Sequence, residues 1–128
     1  MSKFNYNKYS GEILDASIQV HKEMGPGLLE SVYELCLAEE LSSRKITVVR
    51  QVYLPLYYKG KELNKDFRID LLIENEIIIE VKAVDILLPV HEAQIISYLK
   101  LADKRLGLLI NFNVPYLKNG FKRFVNNM

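Results

Sequence analysis

The sequence predicts one α/β domain, a mixed β-sheet flanked by helices, with elements in the order α-α-β-β-β-α-β-α. The chain has 128 residues, of which 49% are hydrophobic, and this is enough to bury a single core. Two segments with helical spacing of apolar residues precede three strand-like segments. A helix and a further apolar strand follow, and this order after a three-stranded meander indicates a mixed sheet. The expected single domain spans residues 1–128.

Two helices are expected before the first strand. Ser10 is the predicted N-cap of the first helix, and we expect residues 1–9 to form a flexible N-terminus. Apolar residues then recur at helical spacing, at Ile13, Ala16, Val20 and Met24. The segment Gly25–Gly27 ends this helix, and the second helix is predicted from about Leu28 to Ser43.

Three strands are predicted next. They run from Ile46 to Tyr58, from Phe67 to Ile73 and from Glu76 to Val84. Pro55 favours an edge position or a bulge for the first strand, because proline has no N–H to donate to a neighbour. Tyr53, Tyr57 and Tyr58 lie on the same strand, and we expect them to pack in the sheet rather than to stack on bases.

The remaining segments are a helix, a strand and a final helix. The first of these is predicted from about Val90 to Asp103. Gly107–Phe112 is a short apolar strand of the kind that is buried on both faces. After a break at Asn113–Pro115, residues Tyr116–Val125 are predicted to form the last helix, although Gly120 disfavours it.

Composition restricts the possible function classes. The formal net charge is +1, so contact with a nucleic acid would need a local basic patch. Cys36 is the single cysteine, which can form no internal disulfide, and we expect a reducing, cytoplasmic location. No apolar run approaches the length of a membrane-spanning helix, and the first residues are too polar for a signal peptide.

Charged residues interrupt two of the predicted strands. Asp70 lies near the middle of one, and Glu80 and Lys82 share a face of the next, because side chains alternate along a strand. If the connecting loop has three residues, Ile73 pairs with Ile77, and the same register places Asp70 opposite Glu80. A two-residue loop would shift the register by one residue and separate the two carboxylates.

Two adjacent carboxylates indicate a cation site. The carboxylates repel each other, and a cation between them relieves the repulsion. Oxygen ligands suit Mg²⁺ or Mn²⁺, which polarise a phosphodiester and lower the pKa of a bound water. Lys82 could then orient the water or stabilise charge on the phosphate. The residues alone are equally compatible with a structural ion pair at a sheet edge, either of Glu80 with Lys82 or of Asp70 with Arg68.

Two further motifs accompany these charged residues. Gly27-Leu-Leu-Glu30-Ser-Val-Tyr33 resembles the Gly-x-x-Glu-x-x-Tyr signature of the GxxExxY protein family, a branch of the PD-(D/E)xK nucleases. Gln94-Ile-Ile-Ser-Tyr98 resembles the Gln-x-x-x-Tyr helix of RecB-like exonucleases in the same superfamily. The order of helix Glu, strand Asp, strand Glu-x-Lys and helix Gln is also that of the superfamily.

The resemblance implies a restriction-endonuclease-like core with a metal site on its strands. Asp70 and Glu80 would ligate Mg²⁺ or Mn²⁺, helped by the backbone carbonyl of Val81. Lys82 would be the catalytic lysine. Ile69 occupies the position of the superfamily's proline, which is often relaxed.

The helices would add three further catalytic or binding residues. The resemblance implies that Glu30 faces the metal site, that Gln94 orients the lysine or a phosphate, and that Tyr98 lines the same face. Without the resemblance, Glu30 is simply an acid that the first turn of a helix favours. Lys100 and Lys104 follow Tyr98 and could contact phosphates, although lysines near a helix C-terminus are also common as a solvated face.

The leading hypothesis is a metal-dependent nuclease that hydrolyses phosphodiester bonds, with DNA favoured over RNA as its substrate. The alternative is a non-catalytic module that binds nucleic acid or protein and keeps the nuclease fold. Hydrolysis of a glycosidic bond fits less well, because glycosidases need no lysine beside their two carboxylates. The edge of the first strand is also compatible with a homodimer.

Overall fold

A five-stranded mixed sheet lies between two helical layers in the computed structural model, which describes residues 3–128. The elements are α1 (Tyr6–Met24), α2 (Glu30–Ser43), β1 (Val48–Tyr58), β2 (Lys61–Ile73), β3 (Ile77–Lys82), α3 (Pro89–Ala102), β4 (Leu106–Asn111), a 3₁₀ turn (Leu117–Gly120) and β5 (Phe121–Val125). The strands are ordered β1-β2-β3-β4-β5; β3 and β4 are parallel, and the other neighbours are antiparallel. The predicted fold class is confirmed.

Each face of the sheet has its own core. The helices α1 and α2 cover one face, where Tyr33 and Leu37 pack on apolar residues of β3 and β4. The other face is covered by α3, whose Ile95 and Leu99 form the second core. A β-carbon on Gly107 of β4 would lie 3.0 Å from Ile95, so glycine allows α3 to pack closely. Within residues 3–128, no helix is both long and apolar enough to cross a membrane.

The first helix begins earlier than predicted. Its N-cap is Asn5, whose side chain accepts a hydrogen bond from the Lys8 N–H, and Ser10 lies inside the helix. Residues 6–9 are therefore helical, and the prediction of a flexible segment over residues 1–9 is wrong for them. Phe4 stacks on Tyr9 with ring centroids 4.7 Å apart, and this contact extends the ordered structure before the helix. Residues 1 and 2 lie outside the described part of the chain.

The last predicted helix, Tyr116–Val125, is wrong. Only Leu117–Gly120 turns, as a 3₁₀ segment, and Phe121–Val125 is strand β5, paired antiparallel with β4. A β-carbon on Gly120 would lie 2.2 Å from the carbonyl oxygen of Asn111, so only glycine fits where the chain turns back beside β4. Pairing with β5 satisfies backbone groups along the outer side of β4, and this outweighs local helix propensity.

The strands β1 and β2 form a hairpin that extends beyond the helical layers. β2 begins at Lys61, six residues before its predicted start, and residues 61–66 are all exposed. Tyr53, Tyr57 and Tyr58 are 62%, 54% and 61% exposed, so the expectation that they pack in the sheet is wrong.

The outer edge of β1 is interrupted at two places. Pro55 lies at an edge strand and beside a shift in register, as predicted. Gln51 has a φ of 56°, which is rare for a residue other than glycine and interrupts the extended backbone. The edge is therefore a poor template for a strand from a second molecule, and the predicted homodimer is not supported.

Tyr33 connects the α1–α2 loop to the core. Its ring is fully buried and stacks on Phe112, with centroids 4.6 Å apart. Its hydroxyl donates to the Gly25 carbonyl and accepts a hydrogen bond of 3.1 Å from the Leu28 N–H. Gly27 lies between these two residues with a φ of 94°, a conformation that glycine adopts without strain. The last residue of the Gly-x-x-Glu-x-x-Tyr motif thus holds the loop that leads into α2.

We expect Tyr33→Phe to lower the free energy of unfolding by about 1–3 kcal/mol, because both loop hydrogen bonds are lost from a buried position. Chemical denaturation would measure the change. Tyr116→Phe is the matched control, since Tyr116 is 73% exposed, and it should alter stability by less than about 0.5 kcal/mol. Equal effects of the two substitutions would contradict the role assigned to the Tyr33 hydroxyl.

Candidate active site

The turn between β2 and β3 sets the register of the site. Residues 74–76 form a three-residue loop, with Glu74 and Asn75 in left-handed conformations. Ile73 pairs with Ile77, which confirms the predicted register. The ladder continues to the pair Leu71–Ile79 and stops there. Asp70 and Glu80 are the next residues in this register, at the point where the two strands cease to pair.

Where the backbone pairing of β2 and β3 ends, the two carboxylates accept hydrogen bonds from backbone N–H groups in its place. The Asp70 N–H donates to Oε2 of Glu80 at 2.9 Å, and the Val81 N–H donates to Oδ2 of Asp70 at 2.9 Å. Asp70 and Glu80 are only 8% and 4% exposed. No buried side-chain polar atom among residues 3–128 lacks a hydrogen-bond partner. Each carboxylate therefore uses one oxygen to accept a backbone hydrogen bond from the neighbouring strand, and its other oxygen can bind a ligand.

Burial makes both carboxyls hard to ionise. Burial, together with the neighbouring Asp70 carboxylate, raises the pKa of Glu80 from 4.5 to about 8. Burial also raises the pKa of Asp70, with the Val81 hydrogen bond opposing the rise and the Glu34 carboxylate adding to it. Lys82 lowers the pKa of both groups. A divalent cation would stabilise the ionised pair far more than one lysine does.

Two cationic side chains border the carboxylates. Lys82 ends β3, half-buried, two residues after Glu80. Arg68 is exposed on β2, and its guanidinium lies 3.8 Å from Oδ1 of Asp70. Beyond Lys82, the side chain of Asn111 bonds both the N–H and the carbonyl of Val84. The loop that follows the lysine is thereby held to β4.

Glu34 is a site residue that sequence reasoning missed. It is 5% exposed on α2, one turn after Glu30, and its charge raises the pKa of Asp70. Its carboxylate accepts hydrogen bonds from Arg50 at 2.9 Å and from the amide of Gln51 at 2.7 and 2.8 Å. The signal in the sequence was an acid within the stripe of α2 that also contains Leu37, Ala38 and Leu41.

Gln51 is the residue of β1 that lies next to the site. It lies between Arg50 and Val52, which pair with Leu71 and Ile69, so it stands opposite Asp70. Its φ of 56° costs about 1–3 kcal/mol, and such strained residues cluster at functional sites. The two hydrogen bonds to Glu34 offset this cost.

The helices contribute unequally to the predicted site. Glu30 is exposed at the first position of α2, and its Oε2 accepts a hydrogen bond of 3.2 Å from the Ala83 N–H, just after Lys82. Tyr98 of α3 is half-buried, and burial together with the Glu80 and Asp70 carboxylates raises its pKa. Gln94 is exposed one turn earlier, close enough to lower the pKa of Tyr98. Tyr98 therefore lies near the carboxylates, Gln94 lies near Tyr98, and Glu30 lies at the end of β3. The functional roles of these three residues stay a prediction.

Lys100 and Lys104 lie away from the carboxylates. Lys104 follows α3, and its ammonium donates to the carbonyl of Asn75 at 2.8 Å, in the turn at the opposite end of β3. Lys100 is exposed in the last turn of α3. The structure therefore does not bring these two lysines together with Asp70 and Glu80, and their predicted contact with nucleic acid stays a prediction.

The donor set fits a hard divalent cation that keeps part of its water shell. Within residues 3–128, no group of three His, Cys, Asp or Glu side chains is arranged to chelate an ion by itself. Mg²⁺ commonly binds through one or two carboxylates, with waters and substrate phosphates filling the other positions. Asp70 and Glu80 match that pattern, and the carbonyl of Val81 remains the predicted third protein ligand.

Comparison with known proteins assigns the chain to a superfamily. A sequence profile of the PD-(D/E)XK nuclease superfamily matches residues 7–124, and the chain belongs to this superfamily. A solved structure described as "Crystal structure of SSO0001" is similar, with a TM-score of 0.53 and 23% identity. The match covers 91% of this chain and 58% of the other, so the chain spans less than two thirds of that protein, and the likeness shows the fold alone. No curated protein matches significantly.

We expect Glu80→Gln to stabilise the metal-free protein at high pH. Because the folded pKa of Glu80 is raised, its protonated form contributes stability that is fully present below pH 4.5 and is lost as the pH rises towards 8. Glutamine mimics the protonated acid. The melting temperature of the wild type in chelator should therefore fall by several degrees relative to Glu80→Gln across this range. Glu39→Gln, an exposed control, should follow the wild type; parallel profiles for all three proteins would contradict the prediction.

We expect Glu34→Ala to lower the free energy of unfolding by about 2–4 kcal/mol. The substitution leaves Arg50 and the strained Gln51 without their acceptor. Urea denaturation would measure this, with Glu39→Ala as the control on the exposed face of the same helix. A loss no greater than that of Glu39→Ala would show that Glu34 does not support β1.

Proposed function

We propose that this protein is a Mg²⁺- or Mn²⁺-dependent nuclease that hydrolyses phosphodiester bonds, with DNA as the favoured substrate. The observation that carries the proposal is the pair of buried carboxylates, Asp70 and Glu80, at the end of the β2–β3 ladder with Lys82 beside them. Membership of the nuclease superfamily supports the same reaction class. Two buried acids whose ionisation is disfavoured are costly for folding, and a cation site explains why they are placed together.

In the proposed reaction, each of the site residues has a separate role. Asp70 and Glu80, with the carbonyl of Val81, would hold the ion, which when bound lowers the pKa of an attacking water and polarises the phosphate. Lys82 would stabilise negative charge as it develops on the phosphate oxygens. Gln94 lies one turn before Tyr98 on α3 and would orient the lysine or a phosphate.

We further propose that the chain is a GxxExxY protein. Gly27, Glu30 and Tyr33 each have a structural task in keeping with that motif. Gly27 adopts a left-handed conformation, Tyr33 holds the loop around it, and Glu30 reaches across to the backbone after Lys82. The motif thereby connects α2 to the end of β3, where the proposed catalytic lysine lies. The single cysteine supports a cytoplasmic location.

We expect cleavage of labelled DNA to require Mg²⁺ or Mn²⁺ and to be abolished by chelator. Asp70→Asn and Lys82→Ala should each lower the rate about 100-fold or more, because each removes a group that acts in the transition state. Asp15→Asn and Lys118→Ala are matched controls at exposed positions, and both should cleave normally. Single- and double-stranded DNA and RNA, assayed side by side, would define the substrate.

The metal dependence of stability provides a second measurement. Mn²⁺ should raise the melting temperature of the wild type at pH 8 and leave that of Asp70→Asn unchanged. If the wild type binds DNA equally well with and without metal but never cleaves it, the protein is the non-catalytic binding module, and the nuclease proposal is wrong.

A further inference from the structure

The exposed hairpin between Arg50 and Arg68, called here the hairpin arm, carries aromatic side chains with no packing partner in either core. The last residues of β1 that reach a core are Val52 and Leu54, on the face covered by α3. Beyond them, Tyr53 and Tyr57 remain 62% and 54% exposed. Contiguous exposed apolar surface of this kind marks interaction sites.

The two tyrosines share one face of β1, and the cross-strand partner of Tyr53 lies close to one of the carboxylates. Side chains alternate along β1, so Tyr53 and Tyr57 point to the same side, about 13 Å apart at the usual strand rise. Tyr53 pairs directly with Arg68, whose guanidinium lies 3.8 Å from Oδ1 of Asp70. The exposed rings and the candidate active site are thus joined through one arginine.

The charge of the arm differs from that of the rest of the chain. Residues 50–68 carry five basic side chains and two acidic ones, a net charge of +3. The whole chain has a net charge of only +1, so the remainder is acidic on balance. The basic residues are Arg50, which is paired with Glu34, and Lys59, Lys61, Lys65 and Arg68. The arm is therefore the local basic patch that contact with a nucleic acid would need.

Tyrosines and basic residues together favour a single-stranded nucleic acid as the ligand of the arm. Aromatic rings stack on unpaired bases, and neighbouring cations neutralise the phosphates between them. A duplex hides the faces of its bases and would gain only the electrostatic contacts. A second copy of this chain is disfavoured because Gln51 and Pro55 interrupt the edge of β1.

We propose that the hairpin arm binds a single-stranded segment of nucleic acid, with bases stacked on Tyr53 and Tyr57, and leads that strand past Arg68 to the carboxylates. The inference rests on the proposed nuclease function and deepens it, since it names unpaired strands as the substrate class. Tyr58 lies on the opposite face of β1 beside Lys59, whose ammonium is 5.5 Å from its ring centroid, and is outside the stacking surface.

Fluorescence anisotropy with a labelled oligothymidine of about 20 nucleotides, in chelator, tests the proposal. Tyr53→Ala/Tyr57→Ala should weaken binding about 25-fold or more, since each stacked ring contributes about fivefold or more. Tyr53→Phe/Tyr57→Phe keeps the rings and should bind within about threefold of the wild type. Tyr116→Ala, at an exposed tyrosine remote in the sequence from the arm, should bind normally. A duplex of the same length should be bound more weakly by the wild type and be little affected by the tyrosine substitutions.

The proposal is overturned if the wild type does not bind the single strand, or if the alanine and phenylalanine pairs bind alike. Equal loss in Tyr116→Ala would overturn it too. Hydrolysis of bis(p-nitrophenyl) phosphate with Mn²⁺ separates this outcome from failure of the nuclease function, because so small a diester needs Asp70 but not the arm. Tyrosine-dependent binding without any hydrolysis would refute catalysis alone, and hydrolysis without tyrosine-dependent binding would refute the arm alone.

Discussion

The reciprocal hydrogen bonds between the backbone and the side chains of Asp70 and Glu80 are the constraint on which the site depends. Where the β2–β3 ladder stops, the Asp70 N–H and the Val81 N–H would be left without acceptors in a buried region. The two carboxylates supply those acceptors. The same two carboxylates therefore accept the hydrogen bonds of the unpaired N–H groups at the end of the sheet and form the candidate metal site. Moving either carboxylate would break one of these hydrogen bonds and disturb the metal site.

The surrounding structure supports these two residues from three directions. Glu34 on α2 holds Gln51 of β1 in its strained conformation opposite Asp70. Glu30, at the start of the same helix, bonds the backbone just after β3. On the other face, Tyr98 of α3 is close enough to both carboxylates for them to raise its pKa. The site thus lies at the end of the β2–β3 ladder, with residues from both helical layers close to it.

Structural features were predicted correctly from the sequence where a short stretch of chain contains everything that determines them. The β2–β3 register follows from a three-residue turn and the apolar residues that flank it, so the position of Asp70 beside Glu80 could be predicted. Pro55 marks an edge strand because its missing N–H has the same effect in any fold. For the motif residues Glu30 and Tyr98, only the resemblance to a family linked them to the site; Glu30 bonds the backbone after Lys82, and Tyr98 is close enough to both carboxylates for them to raise its pKa.

Local reasoning failed where distant segments compete for the same backbone or the same space. Residues 121–125 form a strand because β4 needs a neighbour, a requirement that their own sequence does not contain. In the sequence, the tyrosines of β1 fit the pattern of residues that pack in a sheet. Only the folded structure shows that no helix extends far enough to cover them. Glu34 escaped notice because its partners, Arg50 and Gln51, follow on a different element.

The sequence by itself determined the α/β class, the periodicity of the elements and the placing of two acids and a lysine on adjacent strands, because turn chemistry and side-chain alternation act over a few residues. Tertiary structure alone decided which acids are buried together, which strand closes the sheet and which aromatic rings stay exposed. Burial and long-range charge depend on how far each helix reaches across the sheet, and that distance is a property of the packed molecule.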